Sequence, residues 1–545
     1  MIWTKLGNEI LQQRIGETTI KRLEPVLKAL DGRGDVDLYK TENLSKIFDA
    51  FIGVDLLANN EFRTDLLNRL SQQKLNQIAS SLGISTFQLE FNQILKQIID
   101  RGWRNEEFIK TFLESIELGN SYIRIDKDEF KPITDFNPVA SPYKPLKDYQ
   151  FQVYCDAIEE LANQNARFLI QMPTGSGKTR TAMEFVCEVL NSSDENSLVI
   201  WIAHSEELCS QAVECFSDVW SHVGRYPLKC FRCWGNKGAL PDAEAGRGIV
   251  FASFQRLHSI FKGMPQDIKN ITERVRLVVV DEAHKVMAPT YKTVTSALLS
   301  SRGKLVGLTA TPGRSAVDSD ENSNLANYFH NQILRLHQTG SLSIIELLRQ
   351  KKILSKLSNQ PLRSSRKFSL SNKDREYVSE SFDLPSHILS EIADDDVRNV
   401  EIIKRLEIEC IQGKKIIFFG CNIKHSKFIC ALLIYLGYKA AHVDGQTGSM
   451  RRKSIIQSFK HGDTQVICNF GILTTGFDAP KTDVVFIARP TASVVLYSQM
   501  IGRGLRGPLL GGTETCILID VRDNIEGFVG QTELYEYFDE YWASV

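Results

Sequence analysis

Phe168-Leu-Ile-Gln-Met172-Pro-Thr174-Gly-Ser-Gly-Lys178-Thr179 joins a short apolar run to a glycine-bearing turn, and a helical pattern opens at Lys178. Glycines at 175 and 177 let backbone N–H groups close on phosphate oxygens, and the helix N-terminus adds the positive end of its dipole. Lys178 can then reach the terminal phosphates and the Thr179 hydroxyl a Mg²⁺ ion, so Thr174, Gly175, Ser176, Gly177, Lys178 and Thr179 form a candidate triphosphate cradle. The strict pattern has glycine where Met172 stands. Such a turn works between a buried strand and the helix that follows it, which commits the surrounding chain to an α/β fold.

Outward from this turn, runs rich in β-branched residues alternate with helical stretches: Leu198-Val-Ile-Trp-Ile202, Gly248-Ile-Val-Phe251, Leu277-Val-Val-Val280 and Leu305-Val-Gly-Leu308. Strands apolar on both faces belong to a parallel sheet covered by helices on both sides. The pattern starts again with Lys415-Ile-Ile-Phe-Phe419, Ala440-Ala-His-Val443, Gln465-Val-Ile-Cys468, Asp483-Val-Val-Phe-Ile487 and Thr515-Cys-Ile-Leu-Ile519. The chain therefore reads as two tandem parallel-sheet domains, residues 136–316 and 396–545, joined by a less regular connector at 317–395. Residues 1–135 show helical spacing instead, as in Leu67, Leu70, Leu75, Ile78 and Leu82 ahead of Gly83, and read as an all-α accessory domain. The proline-bearing stretch Asp135–Pro145 marks the boundary as an extended linker.

The length of 545 residues suits three or four domains. With 65 Lys+Arg against 66 Asp+Glu, a polyanion would have to be held on a local basic surface. The accessory domain has 18 basic against 21 acidic residues, which favours a protein partner there. Ile78–Ser85 resembles the first helix and turn of a helix-turn-helix, but Thr86–Leu95 contains Glu90 and no basic residue, so an ordinary helical hairpin is expected. No apolar run approaches the roughly 18 residues of a membrane span and the first residues lack an apolar signal region, so a cytoplasmic protein without a membrane partner is expected. The 11 cysteines are scattered, as in a reducing compartment, and the close pair Cys230 and Cys233 has no neighbouring pair in sequence to complete a zinc site.

Val278-Val-Val-Asp281-Glu282-Ala-His284 ends a buried strand in two carboxylates. Ligands of open α/β sheets bind beyond the carboxyl ends of the strands, which puts Asp281 near the metal and Glu282 where it can orient or deprotonate water. The two motifs together describe a nucleoside triphosphate hydrolysis site.

Further segments, in order, resemble those of the superfamily 2 DEAD/DEAH-type helicases and translocases. Leu146-Lys-Asp-Tyr-Gln150 resembles the family's adenine-reading segment. Ala203–Gln211 and Ala252–Gln255 resemble its strand-contacting segments in the first domain, and Phe418–Asn422 another in the second. Thr309-Ala-Thr311-Pro312 resembles the motif coupling hydrolysis to movement, and Thr474-Thr-Gly-Phe-Asp-Ala-Pro480 and Gln499-Met-Ile-Gly502-Arg503-Gly-Leu-Arg506 complete the series. The resemblance implies two RecA-like domains using ATP and Mg²⁺, with Gln150, Gly476 and Asp478 at the nucleotide. It implies nucleic-acid contacts at His204, Gln211, Ser253, Gln255, Asn422, Thr474 and Thr475, and coupling through His284, Thr309 and Thr311. The wording of residues 473–480 and 489–506 is most similar to RadD-type DNA helicases and restriction-enzyme motor subunits. RadD-type relatives carry a Cys-rich zinc region after the motor, whereas here Cys516 alone follows Arg506.

Charge on a transferring phosphoryl group is stabilised by arginines brought in from outside the cradle, so Arg503 and Arg506 are candidate arginine fingers. Lys178, Thr179, Asp281, Glu282, Gln499, Arg503 and Arg506 would carry hydrolysis. The expected function is movement along, or unwinding of, single- or double-stranded DNA in bacterial repair or antiphage defence, with the accessory domain recruiting a partner such as a nuclease subunit. An RNA-remodelling helicase and an ATP-dependent recruitment switch are the rival readings. Residues 351–373 hold seven Lys/Arg and no acid, either a phosphate-contacting loop or a solvated connector. Leu534–Trp542 has helical spacing suited to docking on the second domain.

Overall fold

The computed structural model describes residues 2–31, 37–51, 55–101, 103, 105–118, 131–139, 143–235, 238, 240–242, 244–263, 271–299, 303–310, 319–337, 344–381, 383–473, 481–491 and 493–526. Strands β1 (Ile133–Phe136), β2 (Arg167–Gln171), β3 (Leu198–Ala203), β4 (Leu228–Cys233), β5 (Gly248–Ser253), β6 (Val275–Asp281), β7 (Lys304–Thr309) and β8 (Ile333–Arg335) form one sheet in the order β1-β4-β5-β3-β6-β7-β2-β8. All its pairings are parallel except that of β1 with β4.

Every residue of β3 is buried, because Val199, Trp201 and Ala203 enter the apolar layer on one face while Leu198, Ile200 and Ile202 enter the layer on the other. That two-sided burial is why the strand reads as an unbroken apolar run. The same alternation sends Cys230 and Cys233, three residues apart on β4, into opposite layers, where they cannot share a metal ion.

The second sheet contains β9 (Lys356–Asn359), β10 (Leu362–Ser369), β11 (Ile416–Phe419), β12 (Ala440–Val443), β13 (Val466–Asn469), β14 (Val484–Ile487) and β15 (Thr515–Glu526). Its order is β10-β15-β14-β11-β13-β12, with β9 also on β15, and all its pairings are parallel. The two sheets, each with helices packed on it, are the tandem RecA-like domains of the sequence reading.

Parts of the expected connector join these sheets. β8 pairs with β2, so residues 333–335 complete the first sheet, and β9 and β10 extend the second. The signal was hidden because β8 is three residues long and β10 is a polar edge strand whose exposed Arg363, Ser365 and Lys367 interrupt any apolar run. The basic stretch 351–373 is therefore mainly sheet edge, not a loop. The boundary stretch is extended but fixed along the first domain: β1 pairs with β4, Val139 N–H donates to Ser221 O at 3.1 Å and Lys144 pairs with Asp218 at 3.1 Å.

Among its described residues the N-terminal region is helical apart from β1: Asn8–Ile15, Glu17–Asp31, Thr41–Phe51, Asn60–Asn68, Gln72–Ser81, Phe91–Asp100 and Glu106–Ser115, with Asn59, Ser71 and Asn105 side chains accepting hydrogen bonds as N-caps. Helix Gln72–Ser81 is followed, after Gly83 at φ 68°, by a connection reaching to Phe91, longer than the turn of a helix-turn-helix. These helices share one apolar core with the second motor domain. Helix Thr41–Phe51 lies on helix Ile423–Tyr435, and helix Glu17–Asp31 on helix Asp396–Ile411. Arg22 seals the junction, donating to Ala393 O at 2.7 Å, pairing with Asp394 at 2.5 Å and lying 4.6 Å over the Phe428 ring. The expected C-terminal helix, 534–542, lies outside the described residues. Among the described residues no helix is long and apolar enough to cross a membrane.

Candidate nucleotide site and nucleic-acid interface

Beyond β2 the chain turns through Gly175 at φ 84° and Gly177 at φ 86°, left-handed conformations that favour glycine, and Gly177 caps helix Lys178–Ser192. Met172, the departure from the strict pattern, is fully buried and donates its N–H to Thr309 O at 3.1 Å, still part of the sheet and not of the cradle. The loop is held from beneath: Tyr149 Oη and Gln150 Nε2 both donate to Ser176 O, at 2.7 and 3.1 Å, and Lys147 N–H donates to Gln150 Oε1 at 2.9 Å. A Cβ at Gly177 would overlap Gln150 Nε2. Gln150, expected as the base contact, is thus placed as a support of the loop.

β6 delivers Asp281 and Glu282 beside the cradle. Asp281 Oδ1 accepts from Glu282 N–H at 3.0 Å, and Lys178 Nζ lies 3.9 Å from Glu282 Oε1. Glu282 adopts φ 54°, an uncommon conformation for a residue with a side chain and one that persists where surrounding structure enforces it. Burial pushes Asp281 above its ordinary value against the pull of Lys178. Burial also opposes ionisation of Glu282, but the ammonium groups of Lys178 and, less strongly, Lys285 outweigh it and hold that carboxyl below its ordinary value. A carboxylate kept ionised beside the cradle lysine suits a group that orients water.

His284 links this acid to β7. Its Nδ1 lies 3.4 Å from Glu282 Oε2 and 3.4 Å from Thr309 Oγ1, and burial pushes the imidazole down to about 3, so it is neutral. The expected coupling pair His284 and Thr309 is therefore in contact, while Thr311 lies outside the described residues.

The second domain closes over the cradle. Arg503, just past helix Val494–Ile501, is half-buried; desolvation lowers it to about 10, while the charge of Glu282 acts in the other direction. Leu505, Arg506 and Leu354 lie within 3.7–3.8 Å of the Cβ position of Gly175. At Gly502 a Cβ would overlap the Thr174 methyl. Gln499 is buried, and its Nε2 has no partner among the described residues. Gly476 and Asp478 lie outside the described residues. Thr179 and Asp281 are the oxygen donors that could hold Mg²⁺, a hard cation suited to one or two such groups plus phosphate oxygens.

The expected strand-contacting residues divide. His204, at the end of β3, is pushed down to about 4 by burial, and its carbonyl accepts from Gln255 Nε2 at 3.4 Å. Gln255 is exposed and also reaches Tyr291 Oη at 3.5 Å, while the neighbouring Phe254 ring stacks on Tyr291 at 3.8 Å. Gln211 is half-buried on helix Glu206–Val223. Ser253 is buried and accepts from Arg256 N–H at 3.3 Å. Asn422 caps helix Ile423–Tyr435, accepting from His425 N–H at 2.8 Å and donating to Ser390 Oγ at 3.3 Å. Thr474 and Thr475 lie outside the described residues. Sequence reasoning missed an ion pair across the cleft, Arg452 of the second domain with Glu207 of the first, in which Arg452 also donates to Thr447 O at 3.1 Å. Its one sequence trace is the basic run Arg451-Arg-Lys453.

Two RecA-like domains facing each other across a glycine loop and two strand-end carboxylates form a candidate nucleoside-triphosphate site. Residues 143–314 match the family described as "Type III restriction enzyme, res subunit", and residues 398–507 match the "Helicase conserved C-terminal domain". The chain belongs to the superfamily 2 helicases, which include restriction-enzyme motor subunits. It is 25% identical over 390 residues to IRC3, a candidate ATP-dependent helicase of Saccharomyces cerevisiae, covering 69% of this chain and 51% of that one. A candidate mitochondrial ATP-dependent helicase of Schizosaccharomyces pombe, irc3, is 26% identical, covering 70% of this chain and 58% of that one. A fragment of a candidate HsdR subunit of a type I restriction enzyme from Vibrio vulnificus superposes with a TM-score of 0.48 at 19% identity, over 78% of this chain and 70% of that one. The chain spans a little over half the length of the two yeast relatives.

Proposed function

We propose that this chain is an ATP-dependent DNA translocase or helicase whose cycle is driven by closure of the second domain on the first. The observation that carries this is the packing of the second domain directly on the glycine loop, with Leu505 and the Arg506 stem at Gly175 and Gly502 against Thr174, so that hydrolysis requires both domains. Lys178 and the backbone of 174–179 hold the phosphates, Thr179 and Asp281 the metal, Glu282 orients water, and the two arginines stabilise charge on the transferring group. Bound Mg²⁺ would neutralise phosphate charge. Hydrolysis releases the closed contact, and alternate grip by strand-contacting segments on the two domains yields steps along a strand. The likeness to a restriction-enzyme res subunit supports DNA as the track and repair or defence as the setting, and the acidic helical region supports a protein partner such as a nuclease subunit.

Steady-state ATPase of the full chain and Lys178→Ala, alone and with single-stranded, duplex and forked DNA and with RNA, tests this. Stimulation by one DNA form, lost in the variant, is expected. Stimulation by RNA instead would establish an RNA-remodelling helicase. No stimulation by any of them would favour a nucleotide-dependent recruitment switch.

A further inference from the structure

A surface that the motor mechanism leaves unused begins on β10, the edge of the second sheet. Arg363, Arg366 and Lys367 are all exposed there, and Arg366 is spent on Asp395 at 2.6 Å. Ser371 then starts helix Asn372–Ser381, on which Lys373, Arg375 and Tyr377 are exposed, Tyr377 to 48%. The acids nearby are mostly committed. Asp374 is turned inward, accepting from Ser371 N–H at 3.0 Å and facing His387 at 3.2 Å, and Glu401 accepts from Ser365 Oγ at 3.3 Å. Glu376 is exposed on the same helix. The exposed surface thus presents Arg363 and Lys367 on β10 and, on the helix, Lys373 with Tyr377 one turn beyond it.

This ridge is built onto the strand-contacting side of the second domain. Helix Asn372–Ser381 and helix Ser386–Ala393 form a hairpin whose apolar core, with Phe368, Leu370, Val378 and Ile388, also contains Cys421. Ser390 accepts from Asn422 at 3.3 Å, and Asp383 pairs with Arg489, whose guanidinium lies 5.2 Å over the Phe470 ring. The hairpin is therefore continuous with Asn422 and with the residues leading into 474–480.

We infer that this ridge is an outer nucleic-acid track: Arg363, Lys367 and Lys373 hold backbone phosphates next to the motor cleft, and Tyr377 offers a face on which an unpaired base stacks. The inference rests on the nucleic-acid reading above and adds a contact that no motif of the motor supplies. Phosphate contacts by lysine and arginine release counterions, and exposed aromatic rings bind bases without regard to sequence.

The test is the salt dependence of binding of a labelled single-stranded oligodeoxynucleotide to the full chain. The triple variant Arg363→Ala/Lys367→Ala/Lys373→Ala should lower the slope of log affinity against log salt by about two, at roughly 0.7 per lost single-strand contact. The exchange Arg363→Lys/Lys367→Arg/Lys373→Arg should keep the slope, and so should Lys21→Ala/Lys28→Ala/Lys40→Ala on the N-terminal helices. Tyr377→Ala should weaken single-stranded more than duplex binding. An unchanged slope in the ridge variant, or an equal fall in the N-terminal control, overturns the track while leaving the motor reading intact. Absence of salt-dependent binding by the wild type overturns both.

Discussion

Gly502 is the residue at which a single methyl group decides whether the domains meet. Its absent side chain leaves room for the Thr174 methyl, and its φ of −55° is open to any residue, so alanine there acts by overlap and not by backbone strain. Gly502→Ala should lower kcat by on the order of 10²-fold, the cost of misplacing a catalytic group by about 1 Å, with an unchanged melting temperature. Thr174→Ser in the same chain removes the opposing methyl and should restore part of the loss, since the Thr174 Cβ and Ser498 O still lie 2.9 and 3.0 Å from the added methyl. Full turnover by Gly502→Ala would mean that the closed contact is not the hydrolytic form. Arg503 and Arg506 could be read as fingers from the chemistry of phosphate, whereas the need for glycine at 502 comes from a side chain more than three hundred residues away and has no local signal.

At the scale of elements, the N-terminal helices show what periodicity gives and what it withholds. The spacing of Leu67, Leu75 and Ile78 marks helices with one apolar face, but an apolar face does not name what covers it. Here the cover is the second motor domain, whose helix Ile423–Tyr435 is buried beneath helix Thr41–Phe51. Removing residues 1–118 would bare that core, so the truncated chain should aggregate or bind an apolar dye instead of behaving as a clean motor. Arg22→Ala, which loses a charged hydrogen bond and a cation–π contact, should cost about 1–2 kcal/mol in denaturant unfolding. A monodisperse truncated chain with wild-type, nucleic-acid-stimulated ATPase would show that the helices are separable after all. β8 and β10 were illegible for the opposite reason, since a three-residue strand and a polar edge carry too few apolar residues to register.

At the scale of the whole molecule the domains are joined by more than the nucleotide. Arg452 on helix Ser449–His461 and Glu207 on helix Glu206–Val223 pair across the cleft, so the pair forms only when the domains approach. Reversing either charge alone should lower nucleic-acid-stimulated ATPase several-fold, because like charges then face each other on closing, while the double exchange Arg452→Glu/Glu207→Arg should recover activity. Equal loss in single and double variants would assign the residues separate roles.

The sequence by itself determined the α/β class, the cradle at 174–179, the carboxylates at 281–282 and the candidate fingers, because strands buried on both faces and phosphate-binding glycines each leave a contiguous pattern. The tertiary structure alone decided that Gly502, Leu505 and the Arg506 stem pack on the loop at 174–175, that Gln150 and Asn422 are held as a loop support and a helix cap, and that the N-terminal helices belong physically to the second domain. Those facts depend on which surfaces meet, and packing between distant segments is set by shape and burial in three dimensions, not by neighbours along the chain.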